Sequence, residues 1–122
     1  MTKTIFFDTY AIIEVLKFNK NYQNYLDYEI VTTKLNLFEL YYKLFREKGE
    51  IVAKTALQKY SNCILDFDNN VIEEAAKMRF MFKKQDMSMV DCIGYIKAKQ
   101  LGIKFLTGDK QFEFLPDVEF VK

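Results

Sequence analysis

Two short apolar runs, TIFF at 4–7 and the KFL within IKFLT at 103–107, carry no polar alternation, and each stops abruptly on polar residues. A strand with one wet face alternates apolar with polar positions. A strand without alternation is covered on both faces, as in the parallel sheets of α/β proteins. Three further runs, EIVTT at 29–33, CILDF at 63–67 and VEFV at 118–121, read as additional strands, and helical pattern fills the gaps between them. The order β-α-β-αα-β-αα-β-turn-β predicts a three-layer α/β/α sandwich. Its sheet is expected to be twisted, mostly parallel and of about five strands, with helices on both faces and right-handed crossovers.

The helices carry their own signals. Leu37, Leu40, Tyr41, Leu44 and Phe45 recur at the spacing of one helical face, and Gly49 is placed to end that helix. A second helix over Ile51 to Tyr60 follows. Asn69 or Asn70 is positioned to cap the next, whose apolar positions are Val71, Ile72, Ala75, Ala76, Met78 and Phe82, and Ser88 opens another that runs to Gly102. With 122 residues, half of them hydrophobic, a single proline, and neither repeat nor linker, one domain over residues 1–122 is expected.

Eighteen basic against seventeen acidic residues leave a net charge of +1, so no whole-chain field draws this protein to a polyanion. There is no histidine and no CxxC, which removes histidine-based acid, base or triad chemistry and the usual zinc spacings. Cys63 and Cys92 lie in apolar settings and read as reduced core residues. No apolar run is long enough to span a bilayer, and the N-terminal apolar run breaks at Asp8, so a soluble, cytoplasmic protein is expected.

In open parallel sheets ligands bind outside the carboxyl ends of the strands. TIFF ends on Asp8, and IKFL ends on Thr107-Gly108-Asp109. Each acid also has an ordinary reading: Asp8 as the cap of the helix TYAIIEVLK, Asp109 as the cap of a short turn. Asp91, three after Ser88, fits a capping box, and Glu39 points off the apolar stripe of its helix as a solvated residue would. Yet the topology brings all four to one sheet edge. Clustered carboxylates repel, and such a cluster suits a hard divalent cation, Mg²⁺ or Mn²⁺, which prefers oxygen ligands.

Asp8 in FFDTYAII, Glu39 in LNLFELYYKL, and Asp91 and Asp109 in SMVDCIGYIKAKQLGIKFLTGDKQF resemble the four acidic positions of PIN-domain nucleases, particularly the VapC-like toxins of prokaryotic toxin–antitoxin pairs. The likeness covers nearly the whole chain. It implies a Mg²⁺- or Mn²⁺-dependent endoribonuclease with Asp8, Asp91 and Asp109 as the principal metal-site acids, Glu39 as the fourth, and Thr107 bonding a ligand, a water or a phosphate. It also implies an RNA substrate and a cognate antitoxin protein. Tyr10 and Tyr42 depart from the family pattern, standing where smaller residues are common.

Two alternatives stand beside this reading. One is a catalytically degenerate PIN domain acting as a binding scaffold, which the presence of all four acids disfavours. The other is a receiver-type phosphoacceptor domain with Asp66 as acceptor, which would need an acid adjacent to Asp8, where Thr9 stands. Asp66, Asp68, Glu73, Glu74 and Asp86 are otherwise read as turn, cap or wet-face residues. The segment KMRFMFKKQ can track RNA through phosphate contacts and stacking, or be an amphipathic helix end. Phe38 and Tyr42, with the segment bearing Tyr22, Tyr25 and Tyr28, suggest a homodimer interface, because aromatics with polar tips suit interfaces.

Overall fold

The computed structural model describes residues 3–122. Strand β1 (Thr4–Phe7) leads into α1 (Thr9–Leu16), a 3-10 stretch (Lys20–Asp27) and β2 (Glu29–Val31). Helices α2 (Lys34–Lys48), α3 (Glu50–Tyr60), α4 (Asn69–Met81) and α5 (Met89–Gln100) precede β3 (Lys104–Thr107) and β4 (Val118–Phe120). The sheet has the order β2-β1-β3-β4, and every pairing is parallel. The chain leaves β1 for β2 on one side and returns to β3 on the other. The carboxyl ends of β1 and β3 therefore flank the point where strand order reverses.

The unalternating runs do what their composition requires. Ile5, Phe7 and Leu106 are buried with α1, α2 and α3 on one face of the sheet, while Phe6 and Phe105 are buried with α4 and α5 on the other. Burial of each such side chain contributes about 1.5–3 kcal/mol. Helix α5 lies so close to the sheet that a Cβ on Gly94 would meet the Phe6 ring at 2.8 Å. Both cysteines are free, as their apolar surroundings suggested.

Three expectations need correction. The sheet has four strands, because CILDF contributes only an isolated bridge, Ile64 to Thr32, with Leu65 N donating to Thr32 O at 2.7 Å. Three residues after Leu65 the chain must turn to start α4, and Asp68 accepts from Val71 N at 3.2 Å. Asp68, not Asn69 or Asn70, is therefore the cap of that helix. Lastly, Tyr22 is no surface aromatic. It is fully buried, and its hydroxyl donates to Val121 O at 2.6 Å, while that of Tyr25 donates to Glu119 Oε2 at 2.8 Å. The tyrosine-rich segment seals the end of β4 inside its own chain.

Candidate active site

Asp8 is the first residue after β1 and is only 1% exposed. Its Oδ1 accepts from Ala11 N at 2.8 Å and so caps α1, whereas Oδ2 is buried with no hydrogen-bond partner among the described residues. A cap uses one oxygen. The other, if left alone, costs about 1–3 kcal/mol or more.

At the end of β3 the Thr107 hydroxyl, fully buried, accepts from Asp109 N at 3.0 Å, and Asp109 Oδ1 accepts from Gln111 N at 3.0 Å. These bonds set the turn that carries Asp109 off the strand. Gly108 between them has no room for a side chain, since a Cβ there would lie 2.1 Å from the Tyr10 ring and 2.6 Å from Val121 O. Tyr10 thus packs directly against the loop bearing Thr107 and Asp109.

Asp91 sits in the first turn of α5, where its backbone N donates to the Ser88 hydroxyl at 3.0 Å. Glu39 is placed by a polar network. The Thr33 hydroxyl, on the residue capping α2, donates to Asn36 Oδ1 at 2.7 Å, Asn36 Nδ2 donates to the Thr9 hydroxyl at 3.2 Å, and that hydroxyl donates to Glu39 Oε1 at 2.9 Å. Glu39 is therefore half-buried and held next to α1, not solvated as its helical position alone suggested.

The four acids share one field. Burial raises the carboxyl pKa of Asp8 well above its ordinary range, and the charges of Asp91 and then Asp109 raise it further. The Thr107 hydroxyl favours the charged form of Asp8, though it makes no well-formed bond to the unpartnered Oδ2. Asp91 is pushed up to about 7, first by burial, then by the charges of Glu39 and Asp109. As placed, no three acid or thiol side chains among the described residues stand close enough to hold one metal ion. Capping and clustering coexist here: Asp8 and Asp109 cap with one oxygen each, and their charges act on one another.

The PIN domain family model matches residues 5–117. The chain belongs to the PIN domain family. It is similar in structure to a toxin–antitoxin complex from Klebsiella pneumoniae, at 18% identity and a TM-score of 0.73, covering 94% of this chain and 95% of that one. A second similar structure is PAE2754 from Pyrobaculum aerophilum, at 14% identity and a TM-score of 0.71, covering 99% of this chain and 92% of that one. No curated protein sequence matches the chain. PIN domains are nucleases as a family, and the receiver-type alternative falls with this match; Asp66 is exposed, beyond the lone bridge at Ile64.

Within this PIN fold the two departing tyrosines behave differently. Tyr10 is half-buried against Gly108, with the Lys122 ammonium 5.4 Å from its ring centre. Tyr42 is exposed, with the Arg46 guanidinium 5.4 Å from its ring centre, and together with Tyr10, Phe38 and Glu39 it lines a groove of about 340 Å³ beside the acids. The residues that sequence reasoning missed are Thr9, Thr33 and Asn36. Thr33-x-x-Asn36 resembles a capping pattern and was a local signal, but the link from Asn36 through Thr9 to Glu39 joins residues 27 and 30 apart, which no local spacing shows.

Proposed function

We propose that this PIN domain, a single domain over residues 1–122, is a Mg²⁺- or Mn²⁺-dependent endoribonuclease and the toxin of a toxin–antitoxin pair. The observation that supports it most is Asp8, buried at the reversal of strand order with one oxygen unpartnered and its charge opposed by Asp91 and Asp109. Asparagine caps a helix as well as aspartate, so a purely structural cap has no need of an acid at this crowded, buried position. The donor set is all carboxylate oxygen, in a chain without histidine, and it fits a hard divalent cation better than zinc or iron. Asp8, Asp91 and Asp109 would hold the ion, with Glu39 as the fourth acid. Asp91 and Asp109 would turn inward by side-chain rotation to do so.

A bound divalent cation supplies polarisation of a phosphate oxygen and a water of lowered pKa. The chain supplies the rest. Thr9 and Asn36 fix the Glu39 carboxylate at the rim, where it can accept a proton from an attacking water. Asp91 loses its proton near neutrality, so its charge state responds to what it faces. The turn made by the Thr107 hydroxyl fixes the backbone of Asp109, and the first turns of α1 and α5 add partial positive charge that favours an incoming phosphate.

The structural likeness to a toxin–antitoxin complex supports a cognate antitoxin as partner. Exposed Phe38 and Tyr42 on α2 support a homodimer, now without the tyrosine-rich segment, which is used internally. Among the described residues no helix is long and apolar enough to cross a membrane, in keeping with the cytoplasm as the working place. The direct test is cleavage of generic RNA with and without Mn²⁺, by wild type and Asp8→Asn. Metal-dependent cleavage that the substitution abolishes is expected; equal cleavage by both proteins would remove Asp8 from the site and most of the nuclease reading with it.

A further inference from the structure

A cavity of about 350 Å³, with none of the four acids in its wall, lies between the end of α4 and the start of α5, walled by Arg79, Phe80, Lys83, Asp86, Met87 and Met89. It is built by a specific turn. Helix α4 stops at Phe82, a short 3-10 segment Lys83–Gln85 follows, and Asp86 takes left-handed backbone at φ 54° before Met87 returns to the core. Arg79 Nε donates to Met87 O at 2.9 Å, which ties the two sides together. Phe80 is 73% exposed and Met89 63% exposed, so flat apolar surface faces water on both sides of the opening.

The charges there are unevenly committed. Lys77 pairs with Glu74 at 3.8 Å, but the Lys83 ammonium stands 5.1 Å from the Phe80 ring centre, stacked over a ring instead of paired with an acid. Arg79 and Lys83 face Asp86 alone among the acids of the wall. The surface thus offers an aromatic face, a thioether and two cations within one nucleotide-sized hollow. An apolar peptide would leave the cations unused; a free anion would leave the ring and methionine bare. A nucleotide with an accessible base uses all of them.

We propose that this cavity is a binding subsite for an unpaired nucleotide of the RNA substrate, with the base stacked on Phe80 against Met89 and the adjoining phosphate held by Lys83 and Arg79. The proposal rests on the ribonuclease reading above and narrows it to single-stranded segments, since a base inside a duplex presents no face to a ring. The cavity adjoins the acids through one helix. Met89 opens α5, and Asp91 lies two residues on in that helix's first turn, so one helix start carries both a wall of the hollow and one of the acids.

The test is fluorescence anisotropy with a short fluorescein-labelled single-stranded RNA of mixed sequence, in EDTA so that nothing is cleaved. Phe80→Ala should weaken binding about 5- to 150-fold, the range for loss of one stacked base. Phe80→Leu, which keeps apolar area without a ring, should be nearly as weak, and Phe80→Tyr should bind normally. Lys83→Ala should flatten the dependence of log affinity on log salt by about 0.7. A duplex of equal length should bind without regard to residue 80. In Mn²⁺, Phe80→Ala should raise KM and leave kcat unchanged. Wild-type affinity and salt slope in both Phe80→Ala and Lys83→Ala would overturn the proposal, as would a change confined to oligomeric state in light scattering, which would make the patch a protein interface. Binding that depends on Phe80 in a protein that never cleaves RNA would support the subsite and sink the nuclease reading. Cleavage by wild type with both variants unaffected would do the reverse.

Discussion

Tyr22 and Asp8 are both buried polar residues near the carboxyl edge of the sheet, and they differ in one respect. The Tyr22 hydroxyl is satisfied by Val121 O at 2.6 Å, while Asp8 Oδ2 has no partner among the described residues. A satisfied buried polar group fixes a structure; an orphaned one is a cost that stability alone does not explain. The tyrosine-rich corner thus reads as part of the folded framework, while the acids carry a cost that the proposed metal site would explain, although the two are packed together through Tyr10 and Val121.

The largest difference between the two corners should be kinetic. Asp8→Asn should lower kcat/KM for RNA by about three orders of magnitude, the equivalent of the several kcal/mol of charge stabilisation a metal provides. Without metal, the same variant should melt at least as high as wild type, since it removes a repelling charge. Tyr22→Ala should behave in the opposite way, losing about 3–5 kcal/mol in urea unfolding as a large buried ring is deleted. Tyr22→Phe should lose about 1–2 kcal/mol, because Val121 O is left unpaired, with Mn²⁺-dependent turnover intact in the folded protein. If Asp8→Asn proves less stable than Tyr22→Phe in EDTA, the distinction between the two corners collapses.

Metal binding should separate the two corners again. At ~100 times its dissociation constant, Mn²⁺ should add about 2.7 kcal/mol to wild type and to Tyr22→Phe, and much less to Asp8→Asn. Thermal melts with and without the ion read this directly. Equal shifts in all three proteins would place the ion elsewhere.

A smaller effect should appear with pH. Folded Asp91 and Asp8 hold their protons more tightly than the unfolded chain does, so their contribution is full below the unfolded carboxyl range and is lost as pH rises through the folded pKa, about 7 for Asp91. Metal-free stability should therefore fall between pH 5 and 7, by about 1 kcal/mol per pH unit. Saturating Mn²⁺ should remove the slope. A flat metal-free profile would mean that the acids are well solvated. The smallest expected change is in Thr9→Val, which cuts the link to Glu39 and should lower kcat a few-fold, with Mn²⁺ affinity held.

What the sequence made legible follows from range. Strand ends, Ser88 as a cap and the burial of Phe6 and Phe7 on opposite faces depend on neighbours a few residues away, and periodicity reveals them. CILDF misled because its composition is that of a strand, while its pairing is limited by Asp68 two residues beyond Asp66, where the chain must already turn. Tyr22 misled for a different reason. An aromatic with a polar tip looks the same in sequence whether its acceptor belongs to another chain or, as here, lies 99 residues away in its own. The acids can be picked out of the sequence as an ordered set, but the supports of Glu39, Thr9 and Asn36, cannot, because a contact between residues 27 apart leaves no local pattern.

The seat of α5 on the sheet has a consequence for how finely this fold can be tuned. With hydrogen alone at position 94, the helix rests directly on the Phe6 ring, and Asp91 rides on the same helix three positions earlier. A methyl group added at Gly94 would act as a shim, lifting the helix and with it the acid, while touching no charged residue. The separation between the carboxylates is in that sense a mechanical tolerance, machined into the contact of one backbone with one ring, and drift in the core can shift their spacing without altering any of the acids.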